Sequence, residues 1–361
     1  MKHVNAVSCV VAALVLGSIS ISQAAVGLKW QPAYKVLRVG GRLSVSLYLV
    51  SDTAASQAVS ALDAIMTYDP AYLHFYGLTP GNPPPTWLLD GFFSPSPDDI
   101  NLALDDGDMM YTAWAQLGVP AMATQSGLLV TTLQFFAEVP VCRTVINVPL
   151  SLGGCARTRI FDGVTPNTEI TGWLGAAKVM IVPADVLISV AEAKALSDDV
   201  GLELAGPIVT RRFESCFYIE DYDRAAGIRV NCDPAELPAE GATPTVSGTI
   251  TTANGERVIN ASLVTAGCPM DIPGALGMST RTARTGLSPV GLLVRAAGTV
   301  TSAGGGGFTL GDGSESDLTV ELHAVSAPDV GTFVAVTGAL GADLSGLILR
   351  VNSAADIRTY P

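Results

Sequence analysis

The sequence predicts an all-β protein with a β-sandwich at its N-terminal side and two small β-barrels after it. Glycine and proline are frequent, at 37 and 22 of 361 residues, and only 15% of residues are charged, as is typical of exported β-proteins with many turns. Apolar residues recur in short alternating runs, as at Leu43, Val45, Leu47 and Leu49. The C-terminal half also repeats itself at a spacing of about 90 residues.

The first 24 residues are typical of a secretory signal. Lys2 and His3 form a short polar head, and the apolar run at residues 10–16 is too short to cross a bilayer. Small residues in Ser22-Gln23-Ala24 predict cleavage after Ala24. The alternative interpretation is an uncleaved N-terminal anchor. We expect a secreted protein, extracellular or at the cell surface, whose mature chain does not insert into a membrane.

The alternating strands and turns divide the mature chain into modules. Residues 25–184 are predicted to form the sandwich, and residues 199–267 and 287–361 the two barrels. Residues 185–198 are rich in Ala and Glu and predict a linker or short helix, while residues 268–286 predict a polar linker.

A block in the first module carries a resemblance to a known family. Tyr68-Asp69-Pro70 is followed by Leu73 and Phe75, and the strand that begins with Gly41 precedes it. In this order, residues 36–182 resemble the cohesin-like, carbohydrate-binding-module-like β-sandwich of the jelly-roll type. The resemblance implies binding of a carbohydrate or of a dockerin-type protein partner.

The repeat resembles a pair of small secreted OB-folds. Each copy contains a Phe-x-Ile/Leu-x-Asp strand and a later Val-x-Gly strand, which are the marks of the resemblance. These are Phe217, Ile219, Asp221 and Val246-Ser247-Gly248 in the first copy, and Phe308, Leu310, Asp312 and Val336-Thr337-Gly338 in the second. Residues 185–361 hold 11 Lys plus Arg against 21 Asp plus Glu, so we expect no nucleic-acid binding.

Five cysteines remain after the predicted cleavage, and export permits disulfides. Cys216 and Cys232 are symmetric about Arg224, the middle of a predicted hairpin, and we expect them to pair. Cys142 and Cys155 offer a possible second pair, and Cys268 would then be unpaired.

Catalytic motifs are missing from the sequence, which argues against an enzyme. His74 and His323 both fall on predicted strands, where structural or surface roles are expected. Asp105, Asp106 and Asp108 are a weak candidate for Ca²⁺ binding through carboxylate oxygens, with a polar turn as the favoured interpretation. No other cofactor is expected.

Aromatic residues offer the best candidate ligand surface. Residues 79–97 hold six prolines and predict a long irregular loop that carries Trp87, Asp90, Phe92 and Phe93. The sequence leaves two interpretations open: the loop contacts a glycan or protein, or it folds back and caps the sandwich. Trp114 and Trp173 are expected in the core.

The sequence therefore favours a secreted, non-catalytic binding protein. Its expected partner is a polysaccharide or a surface or secreted protein. The alternative is a structural component of an extracellular matrix, in which the modules are spacers.

Overall fold

The computed structural model describes residues 25–80, 87–164, 167–285, 289–314, 316–344 and 346–360. The predicted signal, residues 1–24, lies outside the described residues, as do Pro83, Pro84 and Pro85 of the proline-rich segment. The described chain is almost all β-structure, which confirms the predicted fold class. Within the described residues, no helix is long and apolar enough to span a membrane.

The first module is a sandwich of two sheets. Its strands are β1 (Val26–Gln31), β2 (Tyr34–Arg38), β3 (Arg42–Ser51), β4 (Gln57–Val59), β5 (Ala61–Thr67), β6 (Leu73–Pro80), β7 (Leu89–Phe92), β8 (Asp108–Trp114), β9 (Ala121–Ala123), β10 (Leu128–Ala137), β11 (Val141–Asn147), β12 (Ser151–Leu152), β13 (Ala156–Arg157), β14 (Arg159–Phe161), β15 (Thr171–Leu174) and β16 (Ala176–Val182). One sheet has the order β15-β1-β3-β10-β6, and the other has the order β2-β16-β11-β5-β8-β7 with β14 also paired to β5.

The main core lies between these two sheets. The alternation in β3 is confirmed, since Leu43, Val45, Leu47 and Leu49 are all at most 2% exposed. Burying such side chains fully contributes about 2 kcal/mol each.

The Tyr68-Asp69-Pro70 block turns the chain from one sheet to the other. The Asp69 side chain accepts a hydrogen bond from the Ala71 backbone N–H at 2.9 Å, as Asp does in tight turns. Tyr68 packs edge-on against Phe135 with 5.0 Å between ring centres. Its hydroxyl donates to the Leu104 carbonyl at 2.9 Å. The block is therefore structural.

The two barrels follow the same plan. The first contains β17 (Gly201–Ala205), β18 (Ile208–Arg212), β19 (Cys216–Glu220), β20 (Gly227–Asn231), β21 (Thr245–Ala253) and β22 (Glu256–Thr265). The second contains β23 (Leu276–Gly277), β24 (Leu293–Gly304), β25 (Gly307–Gly311), β26 (Leu318–Leu322), β27 (Phe333–Asp343), β28 (Gly346–Val351) and β29 (Ile357–Tyr360). Helices α1 (Val190–Lys194) and α2 (Thr280–Thr285) and the 3-10 turns Pro97–Asp99, Pro234–Glu236 and Ala354–Asp356 complete the described elements.

The second barrel is closed. Its path runs β24-β25-β26-β28-β27, and β27 pairs back to β24, while β26 and β28 are parallel. This is the strand order of an OB-fold and confirms the OB-like prediction. The first barrel has the same order with its first strand divided into β17 and β18. The division falls at Gly206-Pro207, because Gly206 has φ of 107° and Pro207 cannot donate a ladder hydrogen bond.

Part of the predicted linker at residues 268–286 packs on the second barrel. Strand β23 pairs with β24, and the Thr280 backbone N–H, at the start of α2, donates to the Asp312 carboxylate at 2.8 Å. Similarly, α1 lies within the stretch predicted as linker or short helix, and Val190 and Ala193 on it are buried against the first barrel. Both connections are therefore packed structure.

The disulfide is Cys142–Cys268, which joins β11 of the sandwich to the chain after β22. The predicted Cys216–Cys232 pair is wrong, because Glu220 lies opposite Gly227 and this register places Asn231, not Cys232, opposite Cys216. Cys232 thus falls on the other face of its strand. The possible Cys142–Cys155 pair is also wrong, and Cys155, Cys216 and Cys232 are free thiols.

The two barrels contact each other through their backbones and through the buried carboxylate of Glu220. A Cβ on Gly227 of the first barrel would collide with the Gly291 carbonyl before β24. Glu220, which is 0% exposed, accepts a hydrogen bond from the Leu293 backbone N–H at 2.8 Å. Burial raises the pKa of Glu220 from 4.5 to about 7.

We predict that Glu220 makes stability fall with rising pH. Because its folded pKa of about 7 exceeds the unfolded value of 4.5, the unfolded state loses the proton first. The contribution of Glu220 to the free energy of unfolding is complete below pH 4.5 and is lost as the pH rises to about 7. The loss is on the order of 3 kcal/mol. Denaturant unfolding across pH 4–8 should show a flatter pH profile for Glu220→Gln than for the wild type. The exposed Glu214→Gln is the control, and equal profiles for all three proteins would contradict the assignment.

We also predict that peptide mapping without reduction will find Cys142 joined to Cys268. The Cys142→Ser variant should then leave four free thiols in the mature chain, where the wild type has three. Recovery of a Cys216–Cys232 peptide instead would contradict the register of β19 and β20.

Candidate protein-binding face of the sandwich

In the described part of the proline-rich segment, residues 87–92 pack on the core. Trp87 is only 8% exposed and belongs to the main core. Phe92 lies between the rings of Phe75 and Tyr111, at 5.9 and 5.4 Å between ring centres. The Asp90 carboxylate accepts a hydrogen bond from the Tyr111 hydroxyl at 2.6 Å. Of the two interpretations that the sequence leaves open for this segment, the structure favours the cap, because Trp87 is buried.

The physical reason is that part of this segment joins a sheet. Residues 89–92 form β7, which pairs with β8 at the edge of the second sheet. Asp90 and Phe92 lie opposite Ala113 and Tyr111 of β8, so their side chains face the core as those residues do. Of the four candidate residues, Phe93 alone is exposed, at 37%.

Trp114 is exposed, contrary to the prediction. On β8, Met109, Tyr111 and Ala113 are 0% exposed, so the alternate positions Met110, Thr112 and Trp114 point outward. Trp114 is 52% exposed. Trp173 is also half-exposed, at 47%, because it lies on the edge strand β15 above Gly27, whose missing Cβ leaves room for the indole ring.

Trp114 stands in a row of apolar residues that crosses four strands. The register places Phe161 of β14 beside Ala61 of β5, Ala61 beside Trp114 of β8, and Trp114 beside Leu89 of β7. Leu89 is 42% exposed. We call Phe161, Ala61, Trp114 and Leu89 the apolar row. It lies on the outer face of the second sheet.

The apolar row continues into neighbouring exposed residues. Leu88 donates its backbone N–H to the Trp114 carbonyl at 2.7 Å, and its side chain is 70% exposed. The turn after Trp114 carries Leu117 and Val119, which are 96% and 59% exposed. Several large apolar side chains close in sequence or strand pairing to Trp114 are thus exposed, and exposed apolar residues that cluster mark interaction sites.

A polar row borders the apolar row. Thr112 donates its hydroxyl hydrogen to the Asp63 carboxylate at 2.7 Å, and Arg159 lies opposite Asp63 on β14. The sheet face thus changes from apolar to polar one step along the strands.

Beyond the polar row, two segments of the chain, around Ile100 and Ala156, cover the sheet face. Ile65 and Met110 are buried there against Ile100 and Ala156. The Asp98 carboxylate accepts hydrogen bonds from the backbone N–H groups of Cys155 and Ala156, at 2.6 and 2.8 Å, which join the two covering segments. These donors lower the pKa of Asp98. Among the residues that the structure describes, the covering segments leave the end of the face that holds the apolar row open.

Other candidate residues are not brought to this face. Asp105 and Asp106 precede β8, and Asp108 is its first residue. Within the described ranges, no group of three or more His, Cys, Asp or Glu residues is placed to hold a metal ion. Burial, with the charges of Asp105 and Asp106, raises the pKa of Tyr68 to about 12. His74 is exposed on β6 of the other sheet. His323 contacts the ring of Phe213 at 4.7 Å between ring centres.

No protein-family model matches the sequence, and no curated protein matches it. Cohesin modules are among the solved structures that resemble the chain. One is from a family 33 glycoside hydrolase of Clostridium perfringens, with TM-score 0.32 and 9% identity over 45% of this chain and 99% of its own. Another is the OlpA cohesin of Clostridium thermocellum, solved with a dockerin, with TM-score 0.32 and 16% identity over 44% and 99%.

A third is the sixth cohesin of scaffoldin B from Acetivibrio cellulolyticus, solved with the Cel5 dockerin. Its TM-score is 0.31, with 12% identity over 44% of this chain and 99% of its own. At these values the similarity concerns the fold alone.

Truncation of Trp87 should destabilise the protein, whereas truncation of Trp114 should leave its stability almost unchanged. Trp87→Ala removes a buried side chain and should lower the free energy of unfolding by about 3 kcal/mol. Trp114→Ser changes an exposed side chain and should stay within about 0.5 kcal/mol of the wild type. Guanidinium unfolding followed by circular dichroism measures both. An unchanged midpoint for Trp87→Ala would restore the exposed-loop interpretation.

Proposed function

We propose that this protein is an exported, non-catalytic binding protein whose sandwich holds a partner protein at the apolar row. The observation that carries the proposal is Trp114, half-exposed in the middle of four aligned strands. Tryptophan is enriched among the residues that dominate binding energy at protein interfaces. A sheet also holds its side chains in fixed positions, which lowers the ordering cost of binding.

The surroundings of Trp114 support a protein partner. Interfaces combine an apolar centre with a polar, solvent-accessible rim. Here Leu89 and Phe161 extend the centre to both sides of Trp114, while Asp63 and Thr112 supply polar groups along one border. Leu117 and Val119 add apolar area on the exposed turn beyond.

A dockerin-type module is the first partner to test. The Clostridium thermocellum and Acetivibrio cellulolyticus cohesins named above were solved with dockerins. The proposal itself depends on the apolar row of this chain. The competing ligand is a polysaccharide, because a sugar ring can also stack on an exposed indole.

The test is affinity capture with the immobilised mature chain. Secreted proteins of the source organism and a set of purified dockerin modules are applied to the wild type, to Trp114→Ser and to Trp173→Ser. We expect a protein that binds the wild type and Trp173→Ser equally and binds Trp114→Ser about 30-fold more weakly, as for loss of a 2 kcal/mol hot spot. Affinities are then measured by titration calorimetry with the captured protein.

Trp173→Ser is a matched control, because Trp173 is almost as exposed as Trp114 but lies on the other sheet. Equal capture by Trp114→Ser would contradict the proposal. Binding of a glycan panel that is lost in Trp114→Ser, with no captured protein, would assign the apolar row to polysaccharide instead.

A further inference from the structure

A cleft lies where the sandwich meets the first barrel, away from the apolar row. Its volume is about 390 Å³, at the lower end of the range for small-molecule sites. One wall is formed by Pro32 and the start of β2, and the other by Gly206-Pro207 and the turn between β19 and β20. The segment that leads into α1 closes one end. Junctions between domains are common places for ligand sites.

Several contacts hold the two walls in place. The Tyr34 hydroxyl donates to the Gly206 carbonyl at 3.1 Å across the junction. Arg38 of β2 donates to the Val186 carbonyl and to the Glu192 carboxylate of α1, both at 2.9 Å. The Cys142–Cys268 disulfide joins the same two modules covalently. The cleft is therefore formed before any ligand arrives, which lowers the cost of binding.

The floor of the cleft is apolar and carries an open aromatic ring. Pro32, Val36 and Pro207 contribute aliphatic surface. Tyr34 is buried and meets Tyr222 edge-on, with 5.2 Å between ring centres. Tyr222 lines the cleft and is 36% exposed, so part of its ring is accessible to a ligand.

The polar groups around this floor include both hydrogen-bond donors and acceptors. Lys35 supplies a donor, whereas Glu192, Asp221 and Asp223 supply acceptors. Arg38 pairs with Glu192 and neutralises it. With Glu192 paired, Lys35 stands against Asp221 and Asp223, so the cleft offers groups of both signs with a small excess of carboxylates. An uncharged molecule with many hydroxyl groups can use all of them, since each hydroxyl both donates and accepts.

We propose that this cleft binds a neutral saccharide of roughly one or two pyranose rings, a size that 390 Å³ accommodates. One face of a sugar ring stacks on Tyr222, and its hydroxyl groups donate to Asp223 and accept from Lys35. This site is separate from the proposed protein-binding face, and it gives the chain a second, independent ligand.

The test uses the mature full chain with cellobiose, maltose and lactose as neutral probes, and with spermidine and citrate as charged probes. Titration calorimetry and saturation-transfer NMR should detect at least one neutral disaccharide. Tyr222→Ala and Asp223→Ala should each weaken that binding about tenfold, because they remove the stacking surface and an acceptor. Both residues are exposed on a turn, so folding should be retained, as circular dichroism can verify.

Tyr76→Ala is the matched control, because Tyr76 is an exposed tyrosine of similar accessibility on β6 of the sandwich. Saccharide affinity should be unchanged in Tyr76→Ala and in Trp114→Ser, while Tyr222→Ala should retain the protein partner. The proposal would be overturned if none of the three disaccharides binds, if Tyr222→Ala and Asp223→Ala bind the saccharide as tightly as the wild type, or if the chain prefers spermidine or citrate. The protein-binding proposal is unaffected by these outcomes.

Discussion

The arrangement of the modules depends on a close backbone approach at Gly206. Val36 of the sandwich occupies the space that a side chain at this position would need. The approach lets the Tyr34 hydroxyl reach the Gly206 carbonyl, so that a buried tyrosine is satisfied by the neighbouring module. Gly206 and Pro207 also divide the first strand of the first barrel into β17 and β18. One backbone feature thus joins two modules, shapes a barrel and forms a wall of the cleft.

The contact between the barrels has a different physical character. Glycines at positions 227 and 291 allow the backbones to meet, and Glu220 receives an N–H donor from the second barrel. A second group of charged residues lies nearby, where Arg229 approaches the buried Glu256 at 3.3 Å. Taking these groups out of water is costly, and the Leu293 N–H donor and the Arg229–Glu256 ion pair offset part of that cost. The two barrels therefore pack as one unit.

Much of the fold could be predicted because its signals are local. Alternation in β3, the Tyr68-Asp69-Pro70 turn and the internal repeat all appear over short stretches, and each corresponds to an observed element. The candidate site was harder to predict, because alternation does not say which set of residues faces inward. Ala113 takes the inward position on β8, and this places Trp114 outside.

Tertiary pairing was the other obstacle to prediction. Trp87 is buried because the following residues join β8, an edge pairing that no local pattern in the proline-rich segment indicates. The cysteine prediction failed by one residue of register, since the hairpin is centred between Asp223 and Arg224 and not on Arg224. The actual bond joins residues 126 positions apart, which no local rule could select.

That long covalent bridge also determines how the molecule carries mechanical load. If the protein is pulled from its two ends, tension passes along the chain to Cys142, crosses the sulfur atoms to Cys268 and continues into the second barrel. The intervening chain, which contains the last strands of the sandwich and the whole first barrel, lies outside the force path. The first barrel and its wall of the cleft are thereby shielded from extension while the disulfide is intact. In a reducing environment the same stretch would become part of the tether and would lengthen it when unfolded.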